Sequence, residues 1–301
     1  MAVQTHAFRP VTNPPRHGRR AVLAAVAFAA AGASRARADD DKPAVETILT
    51  VPISGRALPD PPYPWFGIES MTLEPGSVEP YGKAEFHGVG DIGFVVDRGE
   101  ISFEVDGPAL VARKGGNVIA NGIPVAAGSA TVLRPGDQAV TGAGVVSRRR
   151  NTGTVQAATF ELSATDYGDI ESDHDGISFS DPVAEMYPFT FPDGSATTHA
   201  VAALLRAIVP PDGQVRLGAM PGLQMAAVVD GTVDIFQGTN PSVASGLDAA
   251  PTRLLRMTPQ YGTVASGIMF LTTSIWRSGS DQPATVLLAT LAPATSPPSG
   301  S

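Results

Sequence analysis

Leu133–Asn151, LRPGDQAVTGAGVVSRRRN, decides the fold. Pro135-Gly136-Asp137 is a turn, because Pro fixes φ and Gly tolerates a positive φ. Gln138 to Thr141 reads as a short strand, Gly142-Ala143-Gly144 as a second tight turn, and Val145 to Arg149 as a returning strand closed by Asn151-Thr152-Gly153. Turn, strand, turn, strand, turn is one corner of an antiparallel β-barrel.

Outward from this corner the chain keeps the same grammar. Thr47 to Pro52 and Phe66 to Leu73 read as strands, separated by the four prolines of 59–64. Gly93 to Gly107 reads as a hairpin. In its second arm Ile101, Phe103 and Val105 share one face, and Glu100, Ser102 and Glu104 the other. Ile119 to Val132 is predicted as further strand, and Val155 to Leu162 returns. Residues 165–195 are acidic, turn-rich and aromatic, and Ser180 to Met186 is predicted as a helical turn.

The second half repeats the first. Val228-Val229-Asp230-Gly231 resembles Val95-Val96-Asp97-Arg98-Gly99, and Asp230-Gly231 is a hairpin-type turn. Ile275-Trp276-Arg277-Ser278-Gly279 with Pro283 to Leu288 resembles Arg148 to Leu162. A repeat of this length is a domain, not a solenoid unit.

The spacing around Gly136 resembles the second motif of the cupin family, G-x5-P-x-G-x2-H-x3-N. Gly136, Gly144 and Asn151 are in register, Gly142 replaces the proline, and Ser147 replaces the histidine that ligates metal in that family. The resemblance implies an all-β chain of two tandem cupin-type barrels (double-stranded β-helix, or jelly-roll), a bicupin. The expected divisions are an export signal over 1–38, barrel 1 over 39–165, an acidic linker over 166–196, barrel 2 over 197–291 and a disordered tail over 292–301. Aligned on Gly99, the first cupin motif puts Glu85 and His87 at its two histidine positions, with Asp91 beside its glutamate position. Aligned on Gly231, that glutamate position in barrel 2 is Gln224, and Ser274 and Ser278 take the places of the second motif's histidine and asparagine.

Most of the metal donors are therefore missing, since a serine hydroxyl is a poor ligand beside imidazole. The reading that follows is an exported, non-catalytic module that binds a small molecule or serves structurally, with no cofactor. Its candidate ligand-binding residues are Glu85, His87, Ser147 and Gln224. The alternative is a metal-dependent cupin oxidoreductase or decarboxylase holding Fe, Mn or Zn in barrel 1 through Glu85, His87 and Asp91. Glu171, Asp173, Asp175 and Gly176 resemble the front of a calcium loop, but Pro182 stands where a bidentate glutamate belongs.

Composition narrows the function classes. The chain has no cysteine, which removes disulfides, thiolate metal sites and cysteine nucleophiles. No Gly-x-Ser-x-Gly elbow, P-loop or dinucleotide fingerprint is present. Residues 1–38 hold six arginines and no acid, an apolar run from Ala21 to Ala33, and Ala36-Arg37-Ala38 as a cleavage site. Such a segment predicts export to the periplasm or beyond. The Arg19-Arg20 pair fits a twin-arginine signal, and a Sec signal fits the remainder. The whole chain carries net charge −8 from 21 basic and 29 acidic residues; losing the six arginines leaves about −14. An acidic mature protein excludes non-specific nucleic-acid binding. Arg148-Arg149-Arg150 read as solvated strand residues. The apolar run is too short for a membrane helix, so no integral segment is expected. A homodimer through edge strand 47–52 is a further expectation.

Overall fold

The structure is a computed structural model, and it describes residues 45–58, 64–79, 92–142, 145–166, 177–179, 183–186, 191, 196–211, 213–217, 222–237, 253–259, 264–265 and 274–294. The elements follow in chain order: β1 (Val45–Leu58), β2 (Pro64–Leu73), β3 (Ile92–Arg98), β4 (Ile101–Val105), β5 (Ala109–Ala112), α1 (Val118–Asn121), β6 (Ile123–Val125), β7 (Ala130–Leu133), β8 (Gln138–Thr141), β9 (Ser147–Asn151) and β10 (Ala157–Asp166). Then come β11 (Ile177–Phe179), β12 (Ala184–Met186), β13 (Thr197–Val209), β14 (Gln214–Leu217), β15 (Leu223–Asp230), β16 (Val233–Gln237), β17 (Arg253–Met257), β18 (Val264–Ala265), β19 (Ser274–Ser278) and β20 (Ala284–Pro293).

These strands form four layers. A first outer sheet, ordered β7-β4-β9, faces a first inner sheet, ordered β11-β2-β10-β3-β8-β5-β6 with β12 also on β2. A second inner sheet, β1-β13-β20-β15-β18, faces a second outer sheet, β14-β19-β16-β17. Each outer–inner pair is one jelly-roll barrel. Barrel 1 encloses Met71, Phe94, Ile101, Phe103, Val111 and Leu133. Barrel 2 encloses Leu205, Val215, Val228, Ile235, Trp276 and Leu288. The third core lies between the two inner sheets and includes Leu49, Val51, Ile53, Phe66, Leu162, Leu204, Met225 and Leu287.

This layering explains the sequence pattern. Outer strands bury one face, so β4 and β14 alternate cleanly between buried and accessible residues. Inner strands bury both faces, so β13, β15 and β20 are runs of Ala, Leu, Val and Met without period. The same two-sidedness places Leu223 and Met225 in the core between the sheets, while Gln224, Ala226 and Val228 face barrel 2.

Several expectations change. The predicted hairpins at Gly99 and Asp230-Gly231 are corners between sheets. β3 pairs β10 and β8 while β4 pairs β7 and β9, and β15 and β16 likewise belong to different sheets. Gly99 and Gly231 take φ of 77° and 76°, and a Cβ there would lie 2.6 Å from Ala157 Cα and 2.7 Å from the Pro283 carbonyl oxygen. Ala157 and Ala284 open β10 and β20, so the repeat seen in the sequence is a repeat of corners. Val118–Asn121 is a helical turn, not a strand: the Asn117 side-chain oxygen accepts from the backbone N–H of Ile119 at 2.8 Å and of Ala120 at 3.2 Å. Ala184–Met186 is a strand, not a helical turn, because the free edge of β2 offers it a ladder. Within the chain, β1 pairs with β13 from Val45↔Ala207 to Leu58↔Thr197. Among the described residues no helix is long and apolar enough to cross a membrane.

Candidate functional site

Asn151 secures the corner that opened the sequence reading. Its Nδ2 donates to the carbonyls of Leu73 at 2.9 Å and Val155 at 2.8 Å, and its Oδ1 accepts from Gly153 N–H at 2.9 Å. Asp137 does the same for the Pro135-Gly136 turn, accepting from Lys114 N, Arg134 N and the Arg113 guanidinium. These two residues are fully engaged in scaffolding.

β9 alternates, so Ser147, Arg149 and Asn151 face the barrel interior and Arg150 faces water. Arg149 is 6% exposed. Across the ladder it stands opposite Phe103 of β4. Its Nε donates to Glu79 Oε2 at 2.6 Å and its Nη2 to Glu79 Oε1, a two-pronged pair; its Nη1 donates to Glu161 Oε1. Thr159 donates to the same Glu161 oxygen at 3.4 Å. The Arg149 guanidinium carbon lies 5.0 Å over the Phe94 ring, which meets Phe103 edge-on at 5.2 Å. Glu161 also stands opposite Glu69 in the β10–β2 ladder and opposite Phe94 in the β10–β3 ladder.

Burial sets the electrostatics. Desolvation would lower the Arg149 pKa, but the charges of Glu161 and Glu79 and their hydrogen bonds more than offset it, so the guanidinium stays protonated. Burial pushes the Glu161 carboxyl above its ordinary value of 4.5; Arg149 opposes this and Glu79 adds to it. Glu79 is also tied to β9 through the backbone, its N–H donating to the Arg149 carbonyl at 2.7 Å.

Barrel 2 carries the counterpart positions with different chemistry. β19 and β20 begin equally far beyond β9 and β10, so Ser274 matches Ser147, Trp276 matches Arg149 and Leu288 matches Glu161. Trp276 is fully buried, and its indole N–H donates to Ser274 Oγ at 2.8 Å. Gln224 is 1% exposed and sits opposite Thr290 inside this barrel.

The predicted site residues are thus distributed. Ser147 lies on the interior face of barrel 1, two residues before Arg149. Gln224 lies in barrel 2, so the two share no site. Glu85, His87 and Asp91 lie outside the described residues, as do the calcium-like run 171–176 and the export segment. Arg149, read from the sequence as solvated, is buried, together with Glu79 and Glu161. The signal was present: Asn151 is in register with the cupin motif, and a period of two from Ser147 turns Arg149 inward.

A cupin metal centre needs free carboxylate and imidazole donors. Here both triad carboxylates are engaged by a protonated guanidinium. Among the described residues no group of three or more His, Asp or Glu is placed to hold a metal ion. The described residues thus bring no metal donor set together, and the candidate ligands Glu85, His87 and Asp91 lie outside them.

The fold is two jelly-roll barrels joined back to back, the architecture that the sequence's resemblance to the cupin family implies. No protein-family model matches the chain, and no curated protein matches it. Among solved structures the chain is similar to the protein YhaK from Escherichia coli, at 14% identity and TM-score 0.41 over 81% of this chain and 93% of that one. It is similar to the oxalate decarboxylase formate complex from Lactobacillus farciminis, at 11% identity and TM-score 0.41 over 76% and 77%. It is also similar to procruciferin, an 11S globulin from Brassica napus, at 10% identity and TM-score 0.40 over 83% and 87%. At these values the likenesses say nothing about activity.

Proposed function

We propose that the protein is an exported, non-catalytic bicupin in which barrel 1 binds a small molecule and barrel 2 is a structural support. One observation carries this reading: on the strand where the cupin motif has its histidine, a buried guanidinium is locked between two carboxylates. A fixed cation beside Ser147 repels a second cation, and its partners cannot serve as metal ligands without leaving it uncompensated. Barrel 2, closed over Trp276 and Leu288, offers packing at the same positions.

Metal analysis tests the reading. The purified full chain is expected to hold far less than one equivalent of iron, manganese or zinc, and its Tm is expected not to fall on adding EDTA. Near-stoichiometric metal that disappears in a His87→Ala variant would establish the metalloenzyme alternative.

A further inference from the structure

Arg149 presents five N–H donors. Three are committed, two to Glu79 and one to Glu161. The remaining two, one on each terminal nitrogen, reach no acceptor among the described residues. Glu161 takes both of its bonds on Oε1, from Arg149 and Thr159, so Oε2 meets no donor among them. Asn151, on the same strand, uses both its amide donors and its oxygen. These open valences belong to groups that a ligand entering the barrel could meet, and such a ligand would supply the partners that buried polar groups ordinarily have. The triad is also not sealed, because the Arg149, Glu79 and Glu161 side chains keep 7%, 9% and 10% exposure.

The open valences are mixed: spare donors on a guanidinium and a spare oxygen on a carboxyl, beside the Phe94 and Phe103 rings. A hydroxyl both donates and accepts, so a pair of hydroxyls matches such a set. The charge balance discriminates further. Two carboxylates already surround one guanidinium. A small dianion would add to that surplus in a desolvated place, and a cation would have to sit against Arg149.

We infer that barrel 1 binds a neutral, hydroxyl-rich small molecule of the polyol or sugar class, held by the spare Arg149 N–H groups and by Glu161 Oε2. This deepens the binding reading above and rests on it.

The full chain, labelled with ¹⁵N-arginine, is titrated with mannitol, myo-inositol and glucose, and separately with malonate and Mn(II), followed by calorimetry and by the guanidinium NMR signals. At least one polyol is expected to bind saturably and to move the signal of the buried Arg149. Its affinity should drop about tenfold or more in Glu161→Leu, which copies Leu288 of barrel 2. It should be unchanged in Gln224→Leu. The arginine signal needs no variant, so the test survives if Glu161→Leu does not fold. Saturable malonate binding without polyol binding would overturn the ligand class and leave a binding module standing. Polyol binding that leaves Arg149 unmoved would overturn the site. No binding by any probe would overturn the inference together with the binding reading of barrel 1. Stoichiometric Mn(II) binding would overturn both as well.

Discussion

Arg149 and Glu161 concentrate the free-energy conflicts of the molecule. A buried ion cluster is costly to form and costlier to break, because removing one member strands the others without solvent. Arg149→Met should destabilise the chain by about 3–5 kcal/mol. Replacing Glu79, Arg149 and Glu161 together with Leu, Met and Leu should recover most of that loss, as read from urea melts. A triple variant no better than the single one would mean that the triad contributes more than its own compensation. Glu161 also predicts a pH dependence. Its folded pKa is raised, so the folded chain binds this proton more tightly than the unfolded chain. The stability from that proton is complete below pH 4.5 and is lost as pH rises to the folded value. Glu161→Gln has no proton to lose, so its stability relative to wild type should climb as pH rises above about 4.5. Among the described residues the charged groups facing Glu161 are Arg149, Glu79 and Glu69, and Arg149 stays charged throughout this range. A difference that is flat, or that falls with pH, contradicts the assignment. From the sequence these residues were only half legible. Three consecutive arginines look like a wetted strand, and only the alternation from Ser147 to Asn151 separates the inward Arg149 from the outward Arg150.

Glycines decide how elements meet. A Cβ on Gly93 would overlap Val51 Cγ2 and press on Val140 and Leu49 at 3.2 and 3.3 Å. Val51 is β-branched and fully buried, so it cannot swing aside. Gly93→Ala should cost about 1–3 kcal/mol and speed amide exchange in β1, and Val51→Ala should restore much of it. Unchanged exchange in β1 would show that the strand is not held by this contact. At the sheet corners, Gly99→Ala and Gly231→Ala each combine a left-handed backbone with a clash against backbone atoms. Gly128→Ala has a similar φ of 74° but open space around it, so it should cost only about 1–2 kcal/mol and less than either corner. Equal losses at all three positions in thermal melts would remove the corner argument. The turn residues and strands were legible, but their pairing was not. A short Gly turn between two apolar runs looks the same whether the strands pair with each other or enter different sheets. Only the partners β8, β9 and β10, distant in sequence, decide between the two.

The whole molecule is held by the core between its inner sheets. β1 precedes barrel 1 in sequence yet extends the inner sheet of barrel 2, and Arg206 of β13 reaches Asp97 of β3 at 2.9 Å across the same boundary. The barrels should therefore unfold together in a single denaturant transition, and deleting residues up to 58 should abolish it by baring the Leu49, Val51 and Ile53 contacts. Two separate transitions would show that the barrels are independent. At this scale the sequence was most informative about the repeat. It could not reveal the shared core, because strands buried on both faces lose the period that marks a face. The central claim, a guanidinium in place of a metal, is tested most directly by diffraction from crystals of the native protein with anomalous data at the iron, manganese and zinc edges. The predicted result is density for Arg149 bridging Glu79 and Glu161 and no anomalous peak inside barrel 1. An anomalous peak there, with Arg149 turned away from the carboxylates, would contradict it.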